Sequence, residues 1–285
     1  MQRITTLLIA VQLLFFCADC RSQHEIRLLV RGDDIGSTHA ANLGCIESYR
    51  DGIMQSVEIM VPCAWFPEAV AMLRENPDLD VGVHITLTSE WDRVKWRPLT
   101  HAPGITDEDG YFYPVIWPGG QFSEERALRS QQWKLEEIEA EMRAQIELAL
   151  RHLPQISHLT CHMGCSEWDE AVGEVYRGLA VEYGLDIPSA ETGLERFPLA
   201  EKGDTLEERI ANFIGGLNKL EQGHTYLFVE HPAVASPEME AVGHPGYEDV
   251  NEDRDLVRRM FTSDAVKKVI EERHIRLISY ADLAE

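Results

Sequence analysis

Basic residues are in short supply in this chain. Lys and Arg together number 26 against 49 Asp and Glu, a formal net charge of −23. A field of that sign repels phosphate backbones and anionic headgroups, which argues against a nucleic-acid binder or a peripheral membrane protein. The acidic surplus is spread along the chain rather than gathered in one tail, so it gives no sign of disorder. Long apolar runs are missing as well: the one extended stretch, Leu7 to Cys17, is broken by Gln12 and too short for a stable membrane anchor. The six cysteines are too sparse for a disulfide scaffold. Gly119-Gly120 and Gly215-Gly216 lack the Lys-Ser/Thr of a phosphate loop. There is no internal repeat and no low-complexity tract. What remains is an acidic globular protein whose 44% apolar content can fill a large core, and 285 residues suit a single α/β barrel.

The N-terminus is laid out as a secretory signal. Arg3 precedes the apolar run, and Ala18 and Cys20 fall at the −3 and −1 positions of a cut before Arg21. Residues 1–20 are therefore expected to be removed and the domain, residues 21–285, to be periplasmic or extracellular. A lipoprotein is the weaker reading, because neither Cys17 nor Cys20 has Leu at −3 with a small residue at −1. Of the four remaining cysteines, Cys161 and Cys165 flank His162. They could form a short disulfide or be ordinary small apolar residues, and their spacing is not that of a structural zinc site.

After the signal, strand and helix patterns alternate without a long linker. Strands are expected at Ile26–Val30, Val57–Val61, Asp80–Leu87, Ile156–Cys161, His224–Glu230 and Ile275–Ser279. Helices are expected at Ala40–Arg50, Phe66–Arg74, Ser123–His152, Asp169–Tyr183, Thr205–Glu221 and Asp253–Arg273, several closed by a following glycine. The Glu-rich stretch Glu136–Glu147 reads as a solvated helix face. Residues 90–122 carry no period and are rich in Trp, Pro, Gly and Tyr, as a lid or binding wall would be. Trp91, Trp96, Tyr111, Tyr113 and Trp117 could stack on sugars there or simply anchor the loop. The alternation argues a parallel sheet, open or closed into a barrel.

Four polar clusters fall just past predicted strand ends: Asp33-Asp34, His84, His158 with His162, and Glu230-His231. In a parallel sheet all strand C-termini open on one face, so these distant clusters would converge there. One carboxylate with two imidazoles leaves positions open for water and substrate, the pattern of a catalytic metal site. Nitrogen donors favour zinc or a similar ion over magnesium without excluding it. A neighbouring acid suits a general base, and a histidine on the opposite wall could protonate a leaving group.

These residues resemble the YdjC-like (ChbG/HpnK) carbohydrate deacetylase family. The resemblance is carried by Gly32-Asp33-Asp34-Ile35-Gly36, by Val81-Gly82-Val83-His84-Ile85-Thr86-Leu87-Thr88, by Glu230-His231-Pro232, and by Ile278-Ser279-Tyr280-Ala281-Asp282-Leu283. It implies a distorted (β/α) barrel of parallel strands with its active site at their C-terminal ends. It further implies one divalent ion, Mg2+ or Zn2+, held by Asp34, His84 and His162, with Asp33 as general base and His231 as an acid or substrate contact. The implied reaction is removal of an N- or O-linked acetyl group from a carbohydrate. Two departures stand out. The family's usual His-Leu-Asp-x-His is His158-Leu159-Thr160-Cys161-His162, and its His-Pro-Gly-Tyr is His231-Pro232-Ala233-Val234. They leave room for a hydrolase of another amide or ester, or for an exported sugar-binding barrel with little catalysis.

Overall fold

The computed structural model describes residues 25–187 and 194–283. The signal segment read at residues 1–20 lies outside them. Among the described residues, seven strands alternate with seven α-helices: β1 (Ile26–Ile35), α1 (His39–Arg50), β2 (Ser56–Ile59), α2 (Phe66–Arg74), β3 (Asp80–Ile85), α3 (Leu135–His152), β4 (Ile156–Cys161), α4 (Glu170–Tyr183), β5 (Glu195–Arg196), α5 (Leu206–Leu217), β6 (Thr225–Glu230), α6 (Val250–Phe261), α7 (Asp264–Glu272) and β7 (Ile275–Ile278). All pairings are parallel, in the order β4-β3-β2-β1-β6-β5.

β1 is the hub. Its residues Arg27–Gly32 pair with β6 along one edge. On the other edge Ile26–Leu29 pair with β7 and Arg31–Ile35 with β2, so β7 fills the space below the start of β2. Strands covered on both faces read as continuous apolar runs, and Leu28, Leu29 and Val30 are fully buried. β4 and β5 end the path of strands, with β7 joined to β1 off it, in an α/β architecture of the distorted-barrel kind.

Helix ends follow local chemistry. Thr38 caps α1 by accepting from the Ala41 amide at 2.9 Å, Thr205 and Glu208 make a reciprocal capping box at α5, and Gly184 ends α4 in the left-handed conformation. Several boundaries differ from the sequence reading, and β1 runs on to Ile35, so that Asp33 and Asp34 lie within its last residues rather than past its end. The helix expected from Ser123 begins at Leu135, preceded by two short 3-10 turns. The one expected at 253–273 is two helices broken at Thr262-Ser263, the one at 205–221 ends at Leu217, and the two-residue β5 carried no pattern long enough to read.

The Glu-rich face of α3 is not simply solvated. Glu141 is fully buried and accepts from the Leu99 amide (3.1 Å) and from the Thr100 amide and hydroxyl (2.9 and 2.7 Å). Gln145 is bonded both ways to the Thr86 backbone, and Glu137 accepts from the Gly104 amide. These contacts hold the long aperiodic segment after β3 against the barrel, since a loop's buried amides must be satisfied by something. Within it Trp91 and Trp96 are buried anchors, whereas Trp117 is 39% exposed. No helix among the described residues is long and apolar enough to cross a membrane.

Candidate metal centre

The C-terminal ends of β1, β3 and β4 bring Asp34, His84 and His162 together. All three are buried, and one ligand atom from each lies within 4.8 Å of the others. Asp34 Oδ1 is 3.7 Å from His84 Nε2 and 3.4 Å from His162 Nδ1.

Strict strand alternation would send Asp33 and Asp34 to opposite faces. Instead, Asp33 Oδ2 also lies 3.8 Å from His84 Nε2. The pairing of β1 with β2 shifts register between Gly32 and Ile35, and Asp34 takes φ +72°. This bulge ends the alternation at the site, and both carboxylates point into it. A positive φ is uncommon for a side chain other than glycine but tolerated by aspartate, and bulges recur beside active sites.

Each carboxylate has its own cation. Arg31 grips Asp33 with Nε at 2.8 Å from Oδ1 and Nη2 at 3.0 Å from Oδ2, while also donating to the Tyr280 hydroxyl at 3.0 Å. Arg254, from α6, donates to Asp34 Oδ2 at 2.9 Å and lies over the Trp91 ring. Asp33 Oδ1 and Asp34 Oδ1 are both buried without a hydrogen-bond partner, but Asp33 Oδ1 has the Arg31 guanidinium 2.8 Å away as an ionic neighbour, whereas Asp34 Oδ1 faces only the two imidazoles. An orphaned buried acceptor costs about 1–3 kcal/mol, more if charged. A cation between this oxygen and the two imidazoles would satisfy it, and carboxylate-plus-imidazole is a donor set that divalent ions take. The residues fit a metal.

Burial and neighbouring charges set the protonation states. Burial works to raise the Asp34 pKa, but His231 and Arg254 outweigh it and hold the carboxyl well below its usual range. Burial pushes His84 down to about 4, so its imidazole is neutral. For His162 burial acts downward too, yet Glu90 and Asp34 carry it up to about 10. His231 stands at the rim after β6, its side chain 38% exposed, with Nε2 3.9 Å from Asp34 Oδ2 and Nδ1 3.9 Å from Glu230 Oε2. Burial lowers its pKa, and Asp34 and Glu230 overcome that to raise it.

Not every strand-end histidine arrives at this cluster. His158 is two residues below Thr160 on β4, bonds to Glu58 at 2.8 Å and packs at a tilt against Tyr280, the ring centroids 4.0 Å apart. Its reading as part of the site is corrected: on a strand of period two, His158 enters the barrel one layer beneath the ligands. The cysteines Cys161 and Cys165 are free thiols lying side by side, and no disulfide joins them.

Several site residues escaped the sequence reading. Glu90, in the loop after β3, meets His162 Nε2 at 3.0 Å. Thr160 meets His84 Nδ1 at 2.8 Å and donates to Glu58 at 2.5 Å. Glu58 is fully buried; burial would raise its pKa, but His158 and Arg31 pull it to about 2. An acid inside the apolar run Val57–Val61 was a visible signal, whereas Glu90 and Arg31 gave none.

The profile of the YdjC-like protein family matches residues 27–272. The chain belongs to the YdjC-like family. Among the family's curated relatives, a carbohydrate deacetylase of Thermus thermophilus is 33% identical over 240 residues, 75% of this chain and 80% of that protein. A carbohydrate deacetylase of Brevibacillus brevis is 26% identical over 281 residues, covering 90% of this chain and all of that one. A crystal structure from Enterococcus faecalis, described as a candidate cellobiose-phosphate cleavage protein, superposes with a TM-score of 0.69 at 25% identity, over 92% of this chain and 100% of its own. The matched YdjC-like region contains Asp33, Asp34, His84, His162 and His231.

Proposed function

We propose that this YdjC-like protein is an exported, metal-dependent deacetylase that removes an N- or O-linked acetyl group from a carbohydrate. One observation carries the reading: the unpartnered, buried Asp34 Oδ1 faces two imidazole nitrogens at the strand ends, in a chain whose full-length relatives are named carbohydrate deacetylases.

Asp34, His84 and His162 would hold the ion. When bound, a divalent ion of this kind supplies Lewis acidity, polarising an acyl carbonyl and acidifying water. Asp33 accepts the proton of the attacking water, its carboxylate aimed by the two-point grip of Arg31. Arg254 keeps Asp34 ionised and fixes which of its oxygens faces the imidazoles. His231, raised in pKa and partly open to solvent, donates a proton to the departing amine or alkoxide and exchanges it with water outside. Trp117 lies against Gly164, two residues beyond His162, and together with the exposed Met163 offers an apolar surface on which a sugar ring can rest.

Metal analysis of the purified protein, together with acetate release from a panel of N- and O-acetylated sugars, tests the reading. Stoichiometric ion and acetate release are expected. An ion without acetate release from any sugar would point to another amide or ester. Absence of both would leave a sugar-binding barrel.

A further inference from the structure

The family motif usually carries an aspartate where this chain has Thr160, and a threonine cannot by itself supply a carboxylate. Behind it stands Glu58. β2, β3 and β4 place Glu58, Gly82 and His158 side by side in register, one layer below the row of His84 and Thr160. At Gly82 a Cβ would collide with Glu58 Oε2 and His158 Nε2, so the glycine opens the slot through which the Glu58 carboxylate reaches across β3. There Oε2 accepts from the Thr160 hydroxyl at 2.5 Å and Oε1 faces His158 Nε2 at 2.8 Å.

A hydroxyl has one proton. Because Thr160 gives it to Glu58, its oxygen can only accept at its 2.8 Å contact with His84 Nδ1. The imidazole must then carry its hydrogen on Nδ1, and the Nε2 lone pair is left pointing at Asp33 and Asp34. We infer that Glu58, acting through Thr160, is a positioning residue that locks His84 in its metal-binding tautomer. The inference rests on the reading of Asp34, His84 and His162 as the metal centre. It follows the general pattern in which a ligand histidine donates its other N–H to a carboxylate or its proxy, and loss of such partners costs about 10–100-fold in metal affinity.

The test uses the mature protein, stripped of metal and titrated with Zn2+ against a competing chelator, and reads the imidazole 15N signals of His84 in the metal-free form. Wild type is expected to show His84 protonated at Nδ1. Thr160→Val, nearly isosteric, should lose about 10–100-fold in Zn2+ affinity and show mixed tautomers. Thr160→Ser should retain wild-type affinity and the Nδ1–H form. Thr160→Asp combined with Glu58→Gln should also bind Zn2+ at nearly the wild-type level, because the new carboxylate can accept from His84 directly while the glutamine serves both the carboxylate and His158. An Nε2-protonated His84 in wild type, unchanged Zn2+ affinity in a folded Thr160→Val, or failure of the double variant to bind would each overturn the inference. If Thr160→Val does not fold, Thr160→Ser and the double variant decide. Should wild type bind no Zn2+, the metal centre itself falls, and the tautomer measurement still judges the role of Glu58.

Discussion

Replacing Asp33 by asparagine separates the two adjacent acids. The substitution keeps the shape of the side chain and removes its ability to take a proton. A positioned general base contributes about 10²–10⁴-fold in rate, which corresponds to about 3–5 kcal/mol in the barrier. Turnover should fall by that order. Zn2+ affinity should stay near wild type, since both Asp33 oxygens already have the Arg31 guanidinium as ionic neighbour, whereas Asp34 Oδ1 faces only the two imidazoles. Stability should fall as well, a consequence that only the structure makes visible. Arg31 loses its ion pair with Asp33, and its nearly buried guanidinium is left with a neutral amide oxygen and the Tyr280 hydroxyl. An imperfectly paired buried charge of this sort costs about 1–3 kcal/mol. Asp34→Asn should behave differently: it weakens ion binding, and activity is partly restored by excess ion. The assays are Zn2+ titration, steady-state acetate release and urea unfolding of the metal-free proteins. If Asp33→Asn loses the ion while Asp34→Asn keeps it, the roles are reversed. If Asp33→Asn turns over at the wild-type rate, Asp33 is not the base.

Other expectations concern separate parts of the molecule. His84→Ala and His162→Ala should each lower metal affinity by about 10–100-fold or more, and full occupancy in both by elemental analysis would remove them from the ligand set. Trp117→Ala should raise KM for the sugar and spare kcat, because the ring touches no reacting group; an equal fall in kcat would show otherwise. Asp253, gripped by Lys202, Arg209 and Tyr247, resists burial's upward push on its pKa and is pulled down to about 2. A depressed carboxyl stabilises the fold above its unfolded pKa, so this contribution is present above pH ~4 and fades as pH drops toward ~2, on the order of 1–2 kcal/mol after solvent screening. Urea unfolding from pH 5 to 2 should show a shallower acid loss in Asp253→Asn, and identical slopes would contradict it. Mature protein from the native host should begin near Arg21, and N-terminal sequencing that finds Met1 would refute export.

The α/β class, most element positions and the polar clusters that meet at the strand ends were legible in the chain itself, and the reasons are local. A buried parallel strand must be apolar throughout, helix ends need caps and stops, and ligand types are limited by the chemistry of the ion. Strand-end position picked out Asp33-Asp34, His84, His158 with His162 and Glu230-His231, and the family resemblance narrowed these to Asp33, Asp34, His84, His162 and His231. Tertiary structure decided the rest. The two carboxylates share one side because a register shift and a left-handed residue interrupt the alternation, a property of β1 against β2 and not of β1 alone. His158 is excluded from the site by depth along β4, which depends on how far the strand extends into the barrel. Glu141 and Gln145 look like solvated helix residues until the loop they hold is laid over them. Glu58 stands 102 positions from Thr160 and becomes its partner only where β2, β3 and β4 lie in register with a glycine between them. Periodicity reports which face of an element is buried. What that face touches is set by pairing between segments far apart in the chain, and that information no single segment contains.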